Sequence, residues 1–168
     1  MIDLTQKFGN GDVIFCCIGT TTKKVNGDIS AYEKVDVDIP VNAARIGIFK
    51  GFTKYLIVSS AGANAESKNF YLKLKGKVEY ALKELNFKSI YIFRPGQLLG
   101  KRNEYRRGEN FFQGITKFMS HFLFGSLTKY HSIKASDVAK AMVAASKKNE
   151  EGIFILEYPQ IKKLISVN

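Results

Sequence analysis

Tyr71 and Lys75 stand four residues apart in "VSSAGANAESKNFYLKLKGKVEYAL", residues 58 to 82, about a dozen residues after the paired hydroxyls of Ser59 and Ser60. On a helix, side chains four apart share a face, so a phenol and an ammonium would lie side by side. A neighbouring ammonium favours the phenolate, which brings a phenol down from its ordinary value near ~10 towards a range useful for proton donation at neutral pH. A serine hydroxyl at the end of the preceding strand could then hold a substrate oxygen while Tyr71 delivers the proton.

The spacing alone carries little, because the chain has eight tyrosines and three Tyr-x-x-x-Lys pairs: Tyr71/Lys75, Tyr130/Lys134 and Tyr158/Lys162. Tyr130 lies in "KYHSIKASD", which reads as extended, and Tyr158 follows a strand and precedes Pro159, which biases it away from helix. Only Tyr71 follows a strand that ends in serines, at the carboxyl end where doubly wound sheets bind ligands.

The elements that must position this group follow a βαβ rhythm. Three apolar runs of strand length, "DVIFCCI" (12 to 18), "YLIVSS" (55 to 60) and "SIYIFR" (89 to 94), are each followed by a loop and a helix-period segment. They are nearly continuous in apolar residues, as parallel strands covered on both faces are. Asp36 and Asp38 suit the start of the first intervening helix and Gly51 its end. In the second, Tyr71, Leu74, Val78, Ala81, Leu82 and Leu85 recur at helical spacing, with lysines opposite. Gly76 costs about 1 kcal/mol inside such a helix, so its presence predicts close packing or the approach of a backbone. Further helices are expected over "ENFFQGITKFMSHFLFG" and over "SDVAKAMVAASKK" with Ser136 as cap, and a last strand over "GIFILE" (152 to 157).

The expected fold is α/β: a Rossmann-like doubly wound parallel sheet forming a single, partial domain over residues 1–168. No G-x-G-x-x-G phosphate turn occurs, and "MIDLTQKFGNGD" reads like the tail of one strand and the turn into the next. The expectation is therefore a sheet whose first strands and Gly-rich turn are absent. That would leave "DVIFCCI" as an exposed apolar edge, a site for homodimerisation, for a protein partner or for a segment supplied elsewhere.

Composition narrows the classes. Hydrophobic residues at 45% and charged residues at 24% are ordinary for a soluble globular chain, and no run approaches the roughly 20 apolar residues of a membrane helix. No basic start followed by an apolar stretch follows Met1, so no secretory signal is read and a cytoplasmic location is expected. Cys16 and Cys17 are adjacent and would point to opposite faces of a strand, so they read as small hydrophobes with no disulfide. They have no CxxC or His-rich spacing, so no metal site is expected. The net charge of +11 invites nucleic acid, but the cations are scattered apart from Lys23-Lys24 and "KRNEYRR" (101 to 107), and no recognition motif accompanies them.

The order strand-Ser-Ser, Tyr71-x-x-x-Lys75, strand-"RPG" resembles the short-chain dehydrogenase/reductase family. "FCCIGTT", "SSAGA", "YLKLKGKVE" and "FRPGQLLG" together resemble its atypical branch, the Tat-interacting-protein type of oxidoreductase, from the first residues to about Ala145. The resemblance implies an NADP- or NAD-dependent oxidoreductase acting on a small-molecule carbonyl or alcohol. It implies that Ser60 orients the substrate oxygen, that Tyr71 is the acid/base, and that Lys75 binds the nicotinamide ribose and lowers the phenol's pKa. The loop of Gly19, Thr20 and Thr21 would lie beside the cofactor, and Pro95 and Gly96 would approach the nicotinamide through backbone atoms. Arg94 reads as support for its loop, and His131 and Asp137 as packing and capping. Two rivals stand beside this reading: a non-catalytic protein-interaction module of the same fold, and a basic nucleic-acid binder resting on charge alone.

Overall fold

A computed structural model describes residues 9–100 and 125–166. In chain order the elements are β1 (Val13–Cys16), helix α1 (Ile29–Glu33) running through a π-helical turn (Lys34–Asp38) into α2 (Ile39–Phe49), and β2 (Lys54–Val58). Then come α3 (Phe70–Lys83), β3 (Ser89–Phe93), the short β4 (Leu98–Leu99), a 3-10 turn (Gly125–Tyr130) and β5 (Ile133–Lys134). The chain continues through α4 (Ala135–Ser146), β6 (Gly152–Leu156) and α5 (Tyr158–Ser166). The main sheet has the order β1-β2-β3-β6 and is parallel throughout.

Register assigns the two faces. Phe15, Leu56, Tyr91 and Phe154 lie abreast on one, and Cys16, Ile57, Ile92 and Ile155 on the other. Cys16, Ile57 and Ile92 pack with Val41 and Ala44 of α2 and with Val78 and Leu82 of α3. On the opposite face Leu56, Tyr91 and Phe93 pack with Val138, Ala141 and Met142 of α4 and Ile161 of α5. Helices therefore cover both faces, the doubly wound arrangement read from the apolar runs.

Complete burial holds only at the centre. All five residues of β3 are buried, whereas Phe15 is 47% exposed at one edge and Ile153 46% at the other. Edge strands lack a neighbour on one side, so part of their apolar surface stays in solvent whatever their composition. Among the described residues β1 pairs only with β2.

Three local expectations are corrected. Asp36 and Asp38 do not start a helix: α1 begins at Ile29, seven residues before Asp36, capped by Asp28 Oδ1, which accepts from Ala31 N at 3.1 Å. Asp36 and Asp38 lie in the π turn, where Ile39 N–H bonds back to Lys34 O. Pro40 explains the turn, since a proline has no N–H to give to Asp36 O and its ring clashes with that carbonyl in a regular helix. Ser136 is not the cap of α4; Lys134 holds that position without a side-chain hydrogen bond. Tyr158–Pro159 opens α5, because proline is tolerated in a first helical turn. The helix expected over 109–125 and the basic cluster 101–107 lie outside the described residues, apart from Gly125.

Candidate functional site

Because the four strands run parallel, the segments that follow them gather at one end of the sheet. After β1 come Cys17 to Thr21, after β2 Ser59 to Ala61, and after β3 Arg94 to Gly96. The last two are stitched together, with Ser59 N donating to Phe93 O at 2.7 Å and Ala61 N to Pro95 O at 2.9 Å. Gly96 lies so close to the next segment that a Cβ there would stand 2.6 Å from His131 O.

Helix α3 starts over this end, capped by Asn69 Oδ1 accepting from Leu72 N at 3.0 Å. The loop from Ala61 to Ser67 descends onto it, with Asn64 N donating to Leu72 O at 3.1 Å. A Cβ on Gly76 would lie 2.1 Å from Ala65 N and from Asn64 C. The backbone approach expected from a glycine in this helix is therefore real.

Tyr71 and Lys75 do share a face of α3, with Lys75 Nζ 5.8 Å from the Tyr71 ring centroid. The ammonium has a partner that sequence reasoning did not assign. Asp36 Oδ1 stands 2.9 Å from Lys75 Nζ, and Asp36 Oδ2 accepts from Thr20 N at 2.8 Å. Thr20 O in turn accepts from Tyr32 Oη at 3.3 Å. Gly19 lies against the pair, for a Cβ there would be 3.5 Å from Asp36 Oδ1 and 3.9 Å from Lys75 Nζ. Thr21 closes the following turn, its Oγ1 accepting from Lys24 N at 3.2 Å.

A second buried group underlies the serines. Glu79, one helical turn beyond Lys75, accepts from Ser59 Oγ at 2.5 Å and binds Arg94 through Nε at 3.0 Å and Nη2 at 2.5 Å. Its carboxylate raises the Arg94 guanidinium above its ordinary value. Arg94 thus ties β3 to α3, beyond the loop support expected of it. Ser59 is committed to Glu79, whereas among the described residues Ser60 Oγ makes only a long 3.4 Å contact with Ala61 O. The second serine is the one with capacity for a ligand.

Among the described residues the other two Tyr-x-x-x-Lys pairs build nothing comparable. Lys162 pairs with Asp137 at 3.4 Å and Tyr158 packs its ring on His131, while Lys129 covers the ring of Tyr130. Sequence reasoning missed Asp36 and Glu79. Glu79 did leave a signal, a charge on the buried stripe of Val78 and Leu82. Asp36 left none, because its orientation depends on the π turn.

No family model matches the chain. Curated relatives do: Protein HTATIP2 of Rattus norvegicus is 38% identical over 120 residues, 71% of this chain and 46% of that protein. Protein FMP52, mitochondrial, of Meyerozyma guilliermondii is 31% identical over 167 residues, 96% of this chain and 70% of that protein. The chain belongs to this family, an atypical branch of the short-chain dehydrogenases/reductases. It spans about half the length of some members, covering 54% of the FMP52 protein of Coccidioides immitis at 36% identity.

The fold comparison agrees. UDP-N-acetylglucosamine 4-epimerase from Methanobrevibacter ruminantium M1 superposes with a TM-score of 0.66 at 16% identity, over 98% of this chain and 62% of that one. MoeE5 in complex with UDP-glucuronic acid and NAD gives 0.65 at 12%, over 92% and 58%. At such identities the likeness establishes the shared fold. The cytoplasmic expectation is corrected: the fungal FMP52 members of the family are named mitochondrial, and the lack of a secretory pattern after Met1 speaks only to secretion.

Proposed function

We propose that the chain carries the catalytic edge of an NADP- or NAD-dependent oxidoreductase acting on a small-molecule carbonyl or alcohol. The observation that carries this is Tyr71 and Lys75 on one face of α3, with the ammonium held at the Gly19–Thr20 loop. The residues fit the nicotinamide half of a dinucleotide. Gly19 is exposed beside the pair, and an ammonium has three donors, so that Lys75, with one of them on Asp36, keeps others for a ribose hydroxyl. The NAD bound by MoeE5, which shares the fold, supports the same assignment. When bound, a nicotinamide supplies or accepts the hydride.

The chain's own residues do the rest. Ser60 Oγ donates to the substrate carbonyl oxygen and fixes its direction. Tyr71 Oη gives its proton to that oxygen as the carbonyl is reduced, and takes it back in the reverse direction. Lys75 holds the ribose and stabilises the phenolate left behind. Pro95 and Gly96 would offer backbone atoms to a bound nicotinamide, while Thr20 and Thr21 shape the loop around Gly19.

Titrating the chain with NADPH and NADH by fluorescence tests this reading. Saturable binding is expected, weakened about tenfold, or ~1.4 kcal/mol, in Lys75→Ala. Turnover of a carbonyl panel should be lost in Tyr71→Phe. Absence of binding with both cofactors at millimolar concentration would overturn the assignment.

A second reading, a non-catalytic interaction module, is favoured by β1, which among the described residues pairs only with β2 and where Phe15 is 47% and Ile18 42% exposed. An unpaired edge bearing apolar side chains is a template for another chain. Under this reading sedimentation should show a dimer that Phe15→Lys returns to monomer, and a parent chain that is monomeric at all concentrations would exclude homodimerisation.

A further inference from the structure

We propose that Asp36 is a positioning residue that ties the Lys75 ammonium to the Gly19–Thr21 loop, so that the proton-transfer pair on α3 and the loop after β1 move as one unit. This rests on the reading of Tyr71 and Lys75 as a proton-transfer pair.

Asp36 is 1% exposed and Lys75 5%. Removing two charges from water costs more than a surface ion pair returns, and well-packed apolar groups often do as well for stability. The bonds made by this pair are directional and reach across elements, which apolar groups could not reproduce. One carboxylate oxygen meets Lys75 on α3 and the other meets the Thr20 amide after β1. The Thr20 carbonyl is held from the opposite side by Tyr32 of α1. The loop is therefore gripped through both polar atoms of one peptide residue, and Lys75 through its ammonium.

The helix is built to aim Asp36 inward. Ile39 N–H reaches back five residues to Lys34 O, which inserts the extra residue of a π turn ahead of Pro40. Such bulges occur frequently at functional sites. Asp36 is buried here while Asp38, two residues on, is exposed. Of the charged and titratable groups around Lys75 among the described residues, Asp36 comes from the π turn and makes the contact. Tyr71 and Glu79 lie one turn either side on α3, and Glu79 is engaged by Arg94 and Ser59.

The device has a consequence for ligand entry. A ligand that displaces the Gly19–Thr20 backbone disturbs Asp36, so occupancy beside Gly19 is sensed at Lys75, two bonds of the network away and on the face of α3 that carries Tyr71.

Asp36→Asn keeps the side-chain shape and one acceptor but removes the charge. In this variant Lys75, followed by reductive methylation and mass spectrometry, should react at least about tenfold faster than in the parent, because the carboxylate that holds its ammonium at 2.9 Å is gone and the amine is released to the reagent. The Thr20 amide resonance should move, with the far-UV circular dichroism retained. Lys75→Met should move the Thr20 amide as well. Unchanged Lys75 reactivity together with an unmoved Thr20 amide in Asp36→Asn, with only a lower melting temperature, would reduce Asp36 to packing and overturn the proposal. Should Asp36→Asn not fold, the double variant Asp36→Asn/Lys75→Met removes both charges and is expected to fold; an unmoved Thr20 amide there overturns the proposal equally. None of these readouts needs a cofactor, so a parent chain that fails to bind NADPH would sink the functional assignment while the Lys75 and Thr20 measurements still decide the coupling.

Discussion

Gly76→Ala should destabilise the fold by about 3 kcal/mol, lowering the urea midpoint and detaching the loop that roofs α3. Helix propensity argues the other way, since alanine inside a helix is favoured over glycine by about 1 kcal/mol. Sterics decide the sign. The added Cβ would stand 2.1 Å from Ala65 N and Asn64 C and 2.7 Å from Asn64 Cα, and these are backbone atoms that no side-chain rotation can clear. Relief requires the Ala61–Ser67 loop to lift, which breaks the 3.1 Å bond from Asn64 N to Leu72 O. The same movement pulls on Ser60 and Ala61, so the site should loosen with the fold. Urea unfolding followed by circular dichroism measures the effect; a gain of about 1 kcal/mol, the value from propensity alone, would show that the loop does not rest on the helix.

Glu79→Ala should cost about 3 kcal/mol, at the low end for breaking a buried ion pair because Arg94 retains some access to water. The carboxylate is 2% exposed at its side chain and the guanidinium 19%. Truncation strands the Arg94 fork and leaves Ser59 Oγ without its acceptor, and an unsatisfied buried donor carries its own desolvation penalty. Glu79→Gln, which keeps an acceptor for Ser59, should lose less. The double variant Glu79→Leu/Arg94→Met should recover much of the loss, since replacing both members of a buried pair is far milder than removing one. Thermal melts of these chains and of the single variants Glu79→Leu and Arg94→Met test this, and strictly additive losses would show that the two side chains do not depend on each other.

Much of the architecture was legible because burial imposes a pattern on the chain. The apolar runs around Tyr55–Ile57 and Ser89–Phe93 are strands enclosed on both sides, and such enclosure leaves no room for polar alternation. The 3.6-residue spacing from Tyr71 to Leu82 placed α3 and the shared face of Tyr71 and Lys75. Boundaries were less legible, since a cap is one hydrogen bond among competitors: Asp28 serves where Asp36 and Asp38 were expected, and Lys134 stands where Ser136 was. At α5 the rule against helix before proline met an exception, for a first turn needs no N–H from its proline.

By itself the order of residues determined the βαβ rhythm, the parallel sheet, the phenol and ammonium on one helical face and the need for a glycine between them and the loop, because each of these follows from local periodicity or a missing side chain. The tertiary structure alone decided which partners those groups have. Asp36 reaches Lys75 across 39 positions and Arg94 reaches Glu79 across 15. Pairings over such separations are set by how the helices seat on the sheet and by a π turn before Pro40, and no spacing along the chain encodes them.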